Sequence, residues 1–411
     1  MRPRSPWLSG SPAGARPAGL DSPRAWSVAV AGAIGSGTAF GTAYTFGTFF
    51  DAMVDELGSG RGSTALMFGL TLLLLFGLGV VSGPLADRFG PRLLVLAGGV
   101  LVSAGLVLTS RVNGVAAGYA TYGFGVGLGG GLIVTPMYVI AGGWFVRGRA
   151  LALGVVAAGN GLGTLVLVPL AERLIDAHGW RTAYVILAGI DLALLMAAGL
   201  IVSRPPIPPA PPPLSRMRAV AATTAFRMLF VTGLLFSVSL FTAFAFIVDF
   251  ATDEGVSRSG AALLVGLVGG SSIVGRLGLT TLSHRVSAVR LLQTCLAVQP
   301  LAFGLWFVAG GSYPILVLFA LTLGIGYGGF VALGPEVAVL LFGVVGLGGV
   351  MGLMFLGGGL GGLAGPPIAG LLADLADGPA LPIGVTLAVS AVAFVLSLAI
   401  PQRPDEVSPA G

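Results

Sequence analysis

Arg276 lies inside a strongly apolar stretch, 259–282, nine residues before the loop arginine Arg285. Nine residues of helix cover roughly 13 Å, which would place Arg276 near the middle of a membrane. A charge at that depth costs at least about 2.5–3.5 kcal/mol, so it marks a functional site by default. Because a guanidinium keeps its proton and its planar fork matches a carboxylate, we expect Arg276 to anchor a substrate carboxylate. A structural pair with Asp249 or with backbone carbonyls is the alternative.

The side chains expected around this anchor are aromatic or weakly polar. No second basic residue lies inside another apolar stretch, which favours a monoanion over a dianion. Tyr44 would supply a hydroxyl donor, with an interfacial or core tyrosine as the alternative, and Asn160 would bind substrate or link helices. The predicted substrate-binding residues are Arg276, Tyr44, Phe40, Asn160, Tyr122, Tyr327 and Phe330.

Three acidic residues are candidates for proton coupling, should transport be coupled to protons. They are Asp249 in the seventh apolar stretch, Asp191 in the sixth and Glu336 in the tenth. For each of them, an interfacial charge without a coupling role is the alternative.

Several other kinds of chemistry lack the residues that they need. Cys295 is alone, all 21 basic residues are arginines, and both histidines fall in predicted loops, so we expect no metal, cofactor or enzymatic activity. The string Gly125–Gly130 matches G-x-G-x-x-G, but it lies within an apolar stretch, where small residues favour close helix packing over nucleotide binding. The glycine-rich run Gly346–Gly365 is interpreted in the same way. The arginines are spread among loops, which argues against a nucleic-acid partner.

The composition requires membrane-spanning helices to position these residues. Only 9% of the residues are charged and 55% are hydrophobic, whereas a soluble domain typically carries about 25% charged residues. Apolar runs of about 20 residues are long enough to cross a bilayer as helices. We predict an all-α protein with twelve spans, near 25–50, 64–86, 93–110, 114–140, 149–171, 180–202, 226–250, 259–282, 289–310, 313–335, 344–373 and 381–400.

A proline-rich segment, Arg204–Pro213, separates the sixth and seventh stretches and is typical of an extended linker. We therefore predict a disordered cytoplasmic tail (1–24), a six-helix half (25–202), a cytoplasmic linker (203–224), a second six-helix half (225–400) and a short tail (401–411). The arginines concentrate in the loops on the side of the two chain ends, and the positive-inside rule then places both termini in the cytoplasm.

The loop Gly83–Arg92 joins the second and third predicted spans and has the pattern G-x-x-x-D-R-x-G-x-R. In this position the pattern resembles the signature loop of the major facilitator superfamily. The resemblance implies two six-helix halves and a role in conformational change for Asp87, Arg88 and Arg92. In a comparison of the two halves, Arg276 replaces Gly79.

Other motifs resemble the monocarboxylate transporter family of that superfamily. They are Gly143–Gly154, Ala158–Gly163, Gly179–Arg181, Tyr327–Gly328 with Glu336 and Gly343, Gly365–Gly370 before Asp374, and the spacing Asp21-x4-Trp26. The resemblance implies transport of short monocarboxylates such as lactate or pyruvate, often with a proton. It assigns the carboxylate-pairing arginine to Arg276 and a conformational arginine after the fourth span to Arg149.

Two departures from that family concern its proton relay. The first-span lysine of animal members falls on Tyr44, and the eighth-span aspartate falls on Ser272. The leading hypothesis is a monomeric monocarboxylate carrier of the cell (inner) membrane that works by alternating access, with protons as a candidate coupling ion. The stretch Gly41–Phe46 also resembles oxalate/formate exchangers, so an anion exchanger or an exporter of a hydrophobic carboxylate is the alternative. A membrane sensor without transport activity is a further, weaker one.

Overall fold

The computed structural model describes residues 20–146, 148–205, 214–283, 285–343, 347–376 and 378–402, and within these ranges there is no β-strand. The elements are α1 (Pro23–Tyr44), α2 (Phe46–Leu57), α3 (Arg61–Gly77), α4 (Gly79–Phe89), α5 (Pro91–Thr109), α6 (Val115–Gly118), a π-helix (Tyr119–Val126), α7 (Gly127–Gly143), α8 (Arg149–His178), α9 (Trp180–Ile201), α10 (Leu214–Ala222), α11 (Thr224–Asp253), α12 (Arg258–Leu282), α13 (Ala288–Ala309), α14 (Tyr313–Phe342), α15 (Leu347–Leu375) and α16 (Ala380–Ser397).

In the described part of the chain, ten helical segments are long and apolar enough to cross a membrane. The first two predicted spans are each built from two helices, which meet at Thr45 and at Leu78. Both junction residues keep right-handed helical φ and ψ angles, so each break is a kink in the chain direction and not a reversal. The prediction of an all-α membrane protein is confirmed, and these two kinked segments are consistent with twelve spans.

Two predicted boundaries differ from the structure. The chain is already helical at Pro23, because Ser22 caps α1 by accepting a hydrogen bond from the amide of Ala25 at 3.3 Å. The predicted tail therefore extends too far, although its first nineteen residues lie outside the described ranges. The predicted linker 203–224 contains the helix α10, which was not predicted, and residues 206–213 of the proline-rich segment that was predicted to be extended lie outside the described ranges.

Helices α1 to α9 form the N-terminal half, and α11 to α16 form the C-terminal half. The side on which α1 begins and α16 ends is called the terminal face here. On that face the amide of Asp21 donates to the carbonyl of Trp144 at 3.1 Å, which ties the chain start to the α7–α8 connection. The opposite side, the distal face, carries the α2–α3, α11–α12 and α15–α16 connections.

Glycines allow the two halves to approach closely along two helix pairs. A Cβ atom on Gly161 of α8 would lie 2.5 Å from the carbonyl oxygen of Gly269 on α12. A Cβ atom on Gly69 of α3 would lie 2.9 Å from the carbonyl oxygen of Leu363 on α15. Both distances are too short for any side chain, so glycine is required there. The glycine-rich eleventh span also packs closely, because a Cβ atom on Gly361 of α15 would lie 2.4 Å from the carbonyl oxygen of Leu234 on α11, as the sequence predicts.

The G-x-G-x-x-G string also lies at a helix contact. A Cβ atom on Gly129 would be 2.6 Å from the carbonyl oxygen of Gly98 on α5, and one on Gly125 would be 2.9 Å from the Cα atom of Gly105. This confirms that the string is a packing surface between helices. The π-helix that precedes it was not predicted from the sequence.

Candidate functional site

Arg276 lies in the part of α12 that is nearer the terminal face, and only 4% of it is exposed. The neighbouring residue Gly275 allows α14 to lie beside Arg276. A Cβ atom at position 275 would be only 2.1 Å from the carbonyl oxygen of Ile325 on α14. The glycine lets α14 pack directly against α12. As a result the Arg276 guanidinium carbon lies 5.4 Å from the ring centroid of Tyr327, a cation–π contact.

The guanidinium of Arg276 is only partly bonded. Its Nη1 atom donates to the carbonyl of Ala157 on α8, so Arg276 reaches from the C-terminal half to the N-terminal half. Its Nε and Nη2 atoms have no hydrogen-bond partner among the described residues. These two atoms form one edge of the planar guanidinium, the edge that binds both oxygens of a carboxylate. A buried charge with an empty donor edge of this kind is suited to an anion.

Three tyrosines lie around Arg276. The hydroxyls of Tyr44 on α1 and Tyr327 on α14 are 3.4 Å apart, which joins the two halves. Tyr138 of α7 and Tyr44 both lie within electrostatic range of Arg276. The amide nitrogen of Asn160 donates to the hydroxyl of Tyr138 at 3.1 Å, and its amide oxygen accepts from Ser36. Asn160 therefore links α1, α7 and α8 and holds the hydroxyl of Tyr138.

Aromatic rings from both halves continue this surface toward the distal face. The ring of Tyr44 stacks on Phe244 of α11 with centroids 4.1 Å apart. Phe40 lies 5.7 Å from both Tyr44 and Phe76, and Phe76 lies 5.7 Å from Phe241 of α11. We call Phe40, Tyr44, Phe76, Phe241 and Phe244 the aromatic cluster. Through the contact of Tyr44 with Tyr327, this apolar wall adjoins the ring on which Arg276 lies.

The distal face is tied together by a group of charged residues that we call the distal ion-pair cluster: Arg61, Asp249, Asp253 and Asp374. Arg61 of α3 binds both carboxylate oxygens of Asp249 on α11 at 3.1 Å, and it also binds Asp253 at 3.1 Å. Asp374 of α15 accepts from the backbone amides of Arg61 and Gly62 at 3.0 and 3.1 Å. Among the described residues, every ion pair between the two halves lies at this face.

Comparisons with known proteins agree with this architecture. The sequence profile of the Major Facilitator Superfamily matches residues 32–343 and 229–411. Monocarboxylate transporter 3 of Rattus norvegicus is 32% identical, over 85% of this chain and 74% of that protein. Monocarboxylate transporter 11 of Homo sapiens is 31% identical, over 85% of this chain and 77% of that protein.

The chain belongs to the monocarboxylate transporter family of the major facilitator superfamily.

Solved structures agree on the fold. A bacterial homologue of the human lysosomal transporter Spinster superimposes with a TM-score of 0.75, at 15% identity, over 92% of this chain and 97% of that chain. As predicted from the sequence, this member of the superfamily is a multi-pass membrane transporter and not an enzyme.

Two predicted substrate-binding residues of this transporter do not contact Arg276. The hydroxyl of Tyr122 donates to the carbonyl of Ala43 at 3.3 Å, and its ring packs against Phe46 within the N-terminal half. Phe330 stacks on Phe236, another residue of the C-terminal half, with centroids 3.9 Å apart. The structure places Arg276 on the ring of Tyr327 and Tyr327 against Tyr44. Phe40 lies beside Tyr44 and Asn160 bonds to Tyr138, whereas Tyr122 and Phe330 have other partners.

The candidate proton-coupling residues lie in three different surroundings. Asp249 is fully buried and bound to Arg61, so the alternative pair between Arg276 and Asp249 is wrong. The other alternative partner, a backbone carbonyl, is present for the Nη1 atom of Arg276. Asp191 is also fully buried, and one of its oxygens accepts from Thr42 at 2.7 Å while the other has no partner among the described residues. Glu336 is exposed on α14.

The residues predicted to take part in conformational change lie at the terminal face. Gly90 has a φ of 91°, so it is the turn residue that the loop pattern requires. Arg92 donates to the carbonyl of Leu200 at the end of α9, and the exposed Arg88 lies over the ring of its neighbour Phe89. Arg149 is exposed at the start of α8. Asp87 belongs to α4, and its side chain lies outside the described part of the structure.

Sequence reasoning did not identify Tyr138 or Arg61. Tyr138 is one tyrosine in an apolar helix, and nothing in the sequence distinguishes the face that it occupies. Arg61 follows Gly60 at the start of a span, where an arginine looks like an ordinary loop charge. The available signal was the set of acidic residues, Asp249, Asp253 and Asp374, at the distal ends of two other spans.

Proposed function

We propose that this protein carries a small monocarboxylate across the membrane by alternating access, with Arg276 as the carboxylate anchor. The observation that carries the proposal is the empty Nε–Nη2 edge of a guanidinium that is only 4% exposed. A bound carboxylate would accept from both atoms and offset the cost of burying the charge. The relatives named as monocarboxylate transporters support the same class of substrate.

The surroundings of Arg276 favour a single negative charge. Among the described residues it is the one buried arginine, so a second buried carboxylate would have no cationic partner. The hydroxyls of Tyr44, Tyr138 and Tyr327 supply further donors for the carboxylate or for a hydroxyl or keto group next to it. Lactate and pyruvate have this chemistry.

The two faces support a mechanism in which the halves rock about the site. The distal ion-pair cluster holds the halves together on one side, so access to the site would require separation of the helices at the terminal face. If the terminal face is cytoplasmic, as the arginine distribution predicts, that separation would give the inward-facing state of a monomeric carrier in the cell membrane. Asp87, Arg88, Arg92 and Arg149 would act at the ends of helices that move.

Proton coupling, if it occurs, would require a buried carboxyl group without a cation. Asp249 has Arg61 as its partner and Glu336 is exposed, so Asp191 fits this requirement best of the three predicted candidates. The coupling test is uptake into proteoliposomes with and without a pH gradient, for the wild type and for Asp191→Asn.

The proposal is tested by uptake of labelled lactate and pyruvate into proteoliposomes. Arg276→Gln should reduce uptake to the background of empty liposomes. Arg290→Gln is a matched control, because Arg290 is an exposed arginine on the next helix. Normal uptake by Arg276→Gln would overturn the anchor role.

A second candidate function is the exchange or export of a hydrophobic carboxylate. The aromatic cluster favours it, because a wall of five rings would bury an apolar substrate chain at about 25 cal/mol per Å². Benzoate would then stabilise the purified protein at lower concentrations than lactate. Exchange is distinguished by counterflow: uptake would require substrate inside the liposomes and would ignore a pH gradient.

A further inference from the structure

Glu172 is a buried acidic residue that the anchor site does not use. It lies on α8, six residues before His178 at the distal end, and only 1% of it is exposed. Both of its carboxylate oxygens are buried and have no hydrogen-bond partner among the described residues. An acidic side chain in this state requires a physical explanation.

A cavity of about 590 Å³ adjoins Glu172 at the distal face. It lies between the two halves, because α8 forms one wall and the α11–α12 connection with the starts of α12 and α14 forms the other. Arg173, Ser257 and Tyr313 also line it. A cavity of this size holds several water molecules, so protons can reach the α8 side of the cavity, where Glu172 lies, from the distal side.

The charged groups around Glu172 do not neutralise it in this state. Asp176, one turn later on α8, opposes its ionisation, and Arg258 on α12 favours it. Arg258 lies 4.0 Å from Asp51 of α2, so its charge is shared with another carboxylate. Arg173 lines the cavity, and no ion pair joins it to Glu172 among the described residues.

Burying an ionised and unpaired carboxylate costs much more than taking up a proton near neutral pH. Glu172 therefore fits the closed distal face in its neutral, protonated form. Separation of the distal ends of α8 and α12 would expose it to water, where it can ionise beside Arg258 and Arg173. The closed state then binds one proton more than the open state.

We propose that Glu172 is a proton-binding site of the distal gate, so that acid on the distal side closes this face and alkali opens it. The proposal rests on the alternating-access mechanism proposed above, but not on the identity of the substrate. It differs from a relay at the substrate site, because Ala157, which accepts from Arg276, lies fifteen residues earlier on α8 than Glu172, or about 22 Å along the helix.

The test measures the distance between two spin labels at the distal face as a function of pH, without substrate. The labels are placed at Thr182→Cys on α9 and Ala380→Cys on α16, which are exposed residues of opposite halves, with Cys295→Ala removing the one native cysteine. Glu172 should release its proton at a lower pH in the open state than in the closed state. Between these two pH values, the ratio of open to closed molecules should rise about tenfold per pH unit.

Glu172→Gln, which cannot ionise, should stay closed with no dependence on pH. Glu172→Asp should restore the pH response, and the neighbouring Asp176→Asn is the matched control that keeps the wild-type slope. A wild-type ratio that does not change with pH would overturn the proposal. The same holds for a wild-type slope in Glu172→Gln, or for the loss of the response in Glu172→Asp.

If Glu172→Gln does not fold, the midpoint of opening in Asp176→Asn decides the question. This variant removes the anion that opposes ionisation of Glu172 and breaks no ion pair between the halves among the described residues, so the midpoint should move to lower pH by about half a unit. An unchanged midpoint would contradict the proposal. Arg276→Gln should lose carboxylate binding and keep the pH response, which separates a failure of this proposal from a failure of the proposed function.

Discussion

Among the described residues, two arginine side chains donate hydrogen bonds from one half of this transporter to the other, and they differ in what their guanidinium edges bind. Arg61 uses its Nε and Nη2 atoms to hold both oxygens of Asp249, each at 3.1 Å. Arg276 presents the same two atoms to no partner among the described residues. The first arginine shows how this protein binds a carboxylate from its own chain, and the second offers the same geometry to a ligand.

The surroundings of the two arginines explain this difference. The side chain of Arg61 is 32% exposed, so water compensates part of its charge when the distal face opens. Arg276 is 4% exposed and lies on a tyrosine ring, so little water reaches it. We conclude that Arg61 is suited to a contact that forms and breaks, and that Arg276 is suited to a substrate that arrives and leaves.

The largest effect on stability is expected when Asp249, the buried partner of Arg61, is replaced. Asp249→Asn should destabilise the distal-closed state by about 2–3 kcal/mol, somewhat less than the ~3–5 kcal/mol of fully buried pairs, because Arg61 is partly exposed. Thermal unfolding and the distal spin-label distance would measure this change. Asp253→Asn is the matched control: Asp253 binds the same arginine but is 51% exposed, so a change below about 0.5 kcal/mol is expected. Equal effects of the two variants would contradict the comparison.

A smaller effect is expected at Asp374, which caps the start of α3 from the other half. Asp374→Ala removes the acceptor of two backbone amides and should cost about 1 kcal/mol of thermal stability. Asp374→Asn keeps one acceptor oxygen and should cost less. If both variants cost nothing, this cap does not hold the distal face together.

Tyrosine substitutions near Arg276 test which hydroxyl groups contribute to carboxylate affinity. Tyr138→Phe should weaken carboxylate binding by about fivefold, the equivalent of one hydrogen bond of about 1 kcal/mol. Tyr122→Phe is the matched control and should leave affinity unchanged, because the hydroxyl of Tyr122 is bonded to the α1 backbone. Calorimetric titration of both variants measures the effect. A larger loss for Tyr122→Phe would place the site deeper in the N-terminal half.

The smallest effect is expected at Glu336, which is exposed on α14. Glu336→Gln should change the uptake rate by less than about twofold at any pH, since an exposed carboxylate interacts weakly with its surroundings. A proteoliposome pH profile measures this. Loss of the pH dependence in Glu336→Gln would return this residue to the proton-coupling candidates.

The sequence identifies Arg276 because one charge in an apolar stretch is a strong signal that needs no knowledge of packing. The Arg61–Asp249 pair is different, since its partners are 188 positions apart and meet only because α3 and α11 both pack against α15. Each of these two residues alone has the sequence context of an ordinary charge at the membrane interface. That they form an ion pair follows only from the packing of the two halves.

Tyr122 shows a second limit of sequence reasoning. It lies in the π-helix Tyr119–Val126, where the wider turn changes which face each side chain occupies. A pattern with 3.6 residues per turn does not hold in such a segment, and the structure places the Tyr122 hydroxyl against the α1 backbone. Tyr138 was missed for a related reason, because the α7 helix is apolar on all sides and has no distinct binding face.

The most direct test of the anchor role is the affinity of purified protein for small carboxylates, measured by calorimetric titration with lactate, pyruvate, acetate and benzoate. Arg276→Gln should weaken binding of the preferred acid at least about 30-fold, because a buried charge pair loses one partner. Arg61→Gln removes the other arginine that donates hydrogen bonds between the two halves. It should change that affinity by no more than a few-fold. Wild-type affinity in Arg276→Gln would contradict the account.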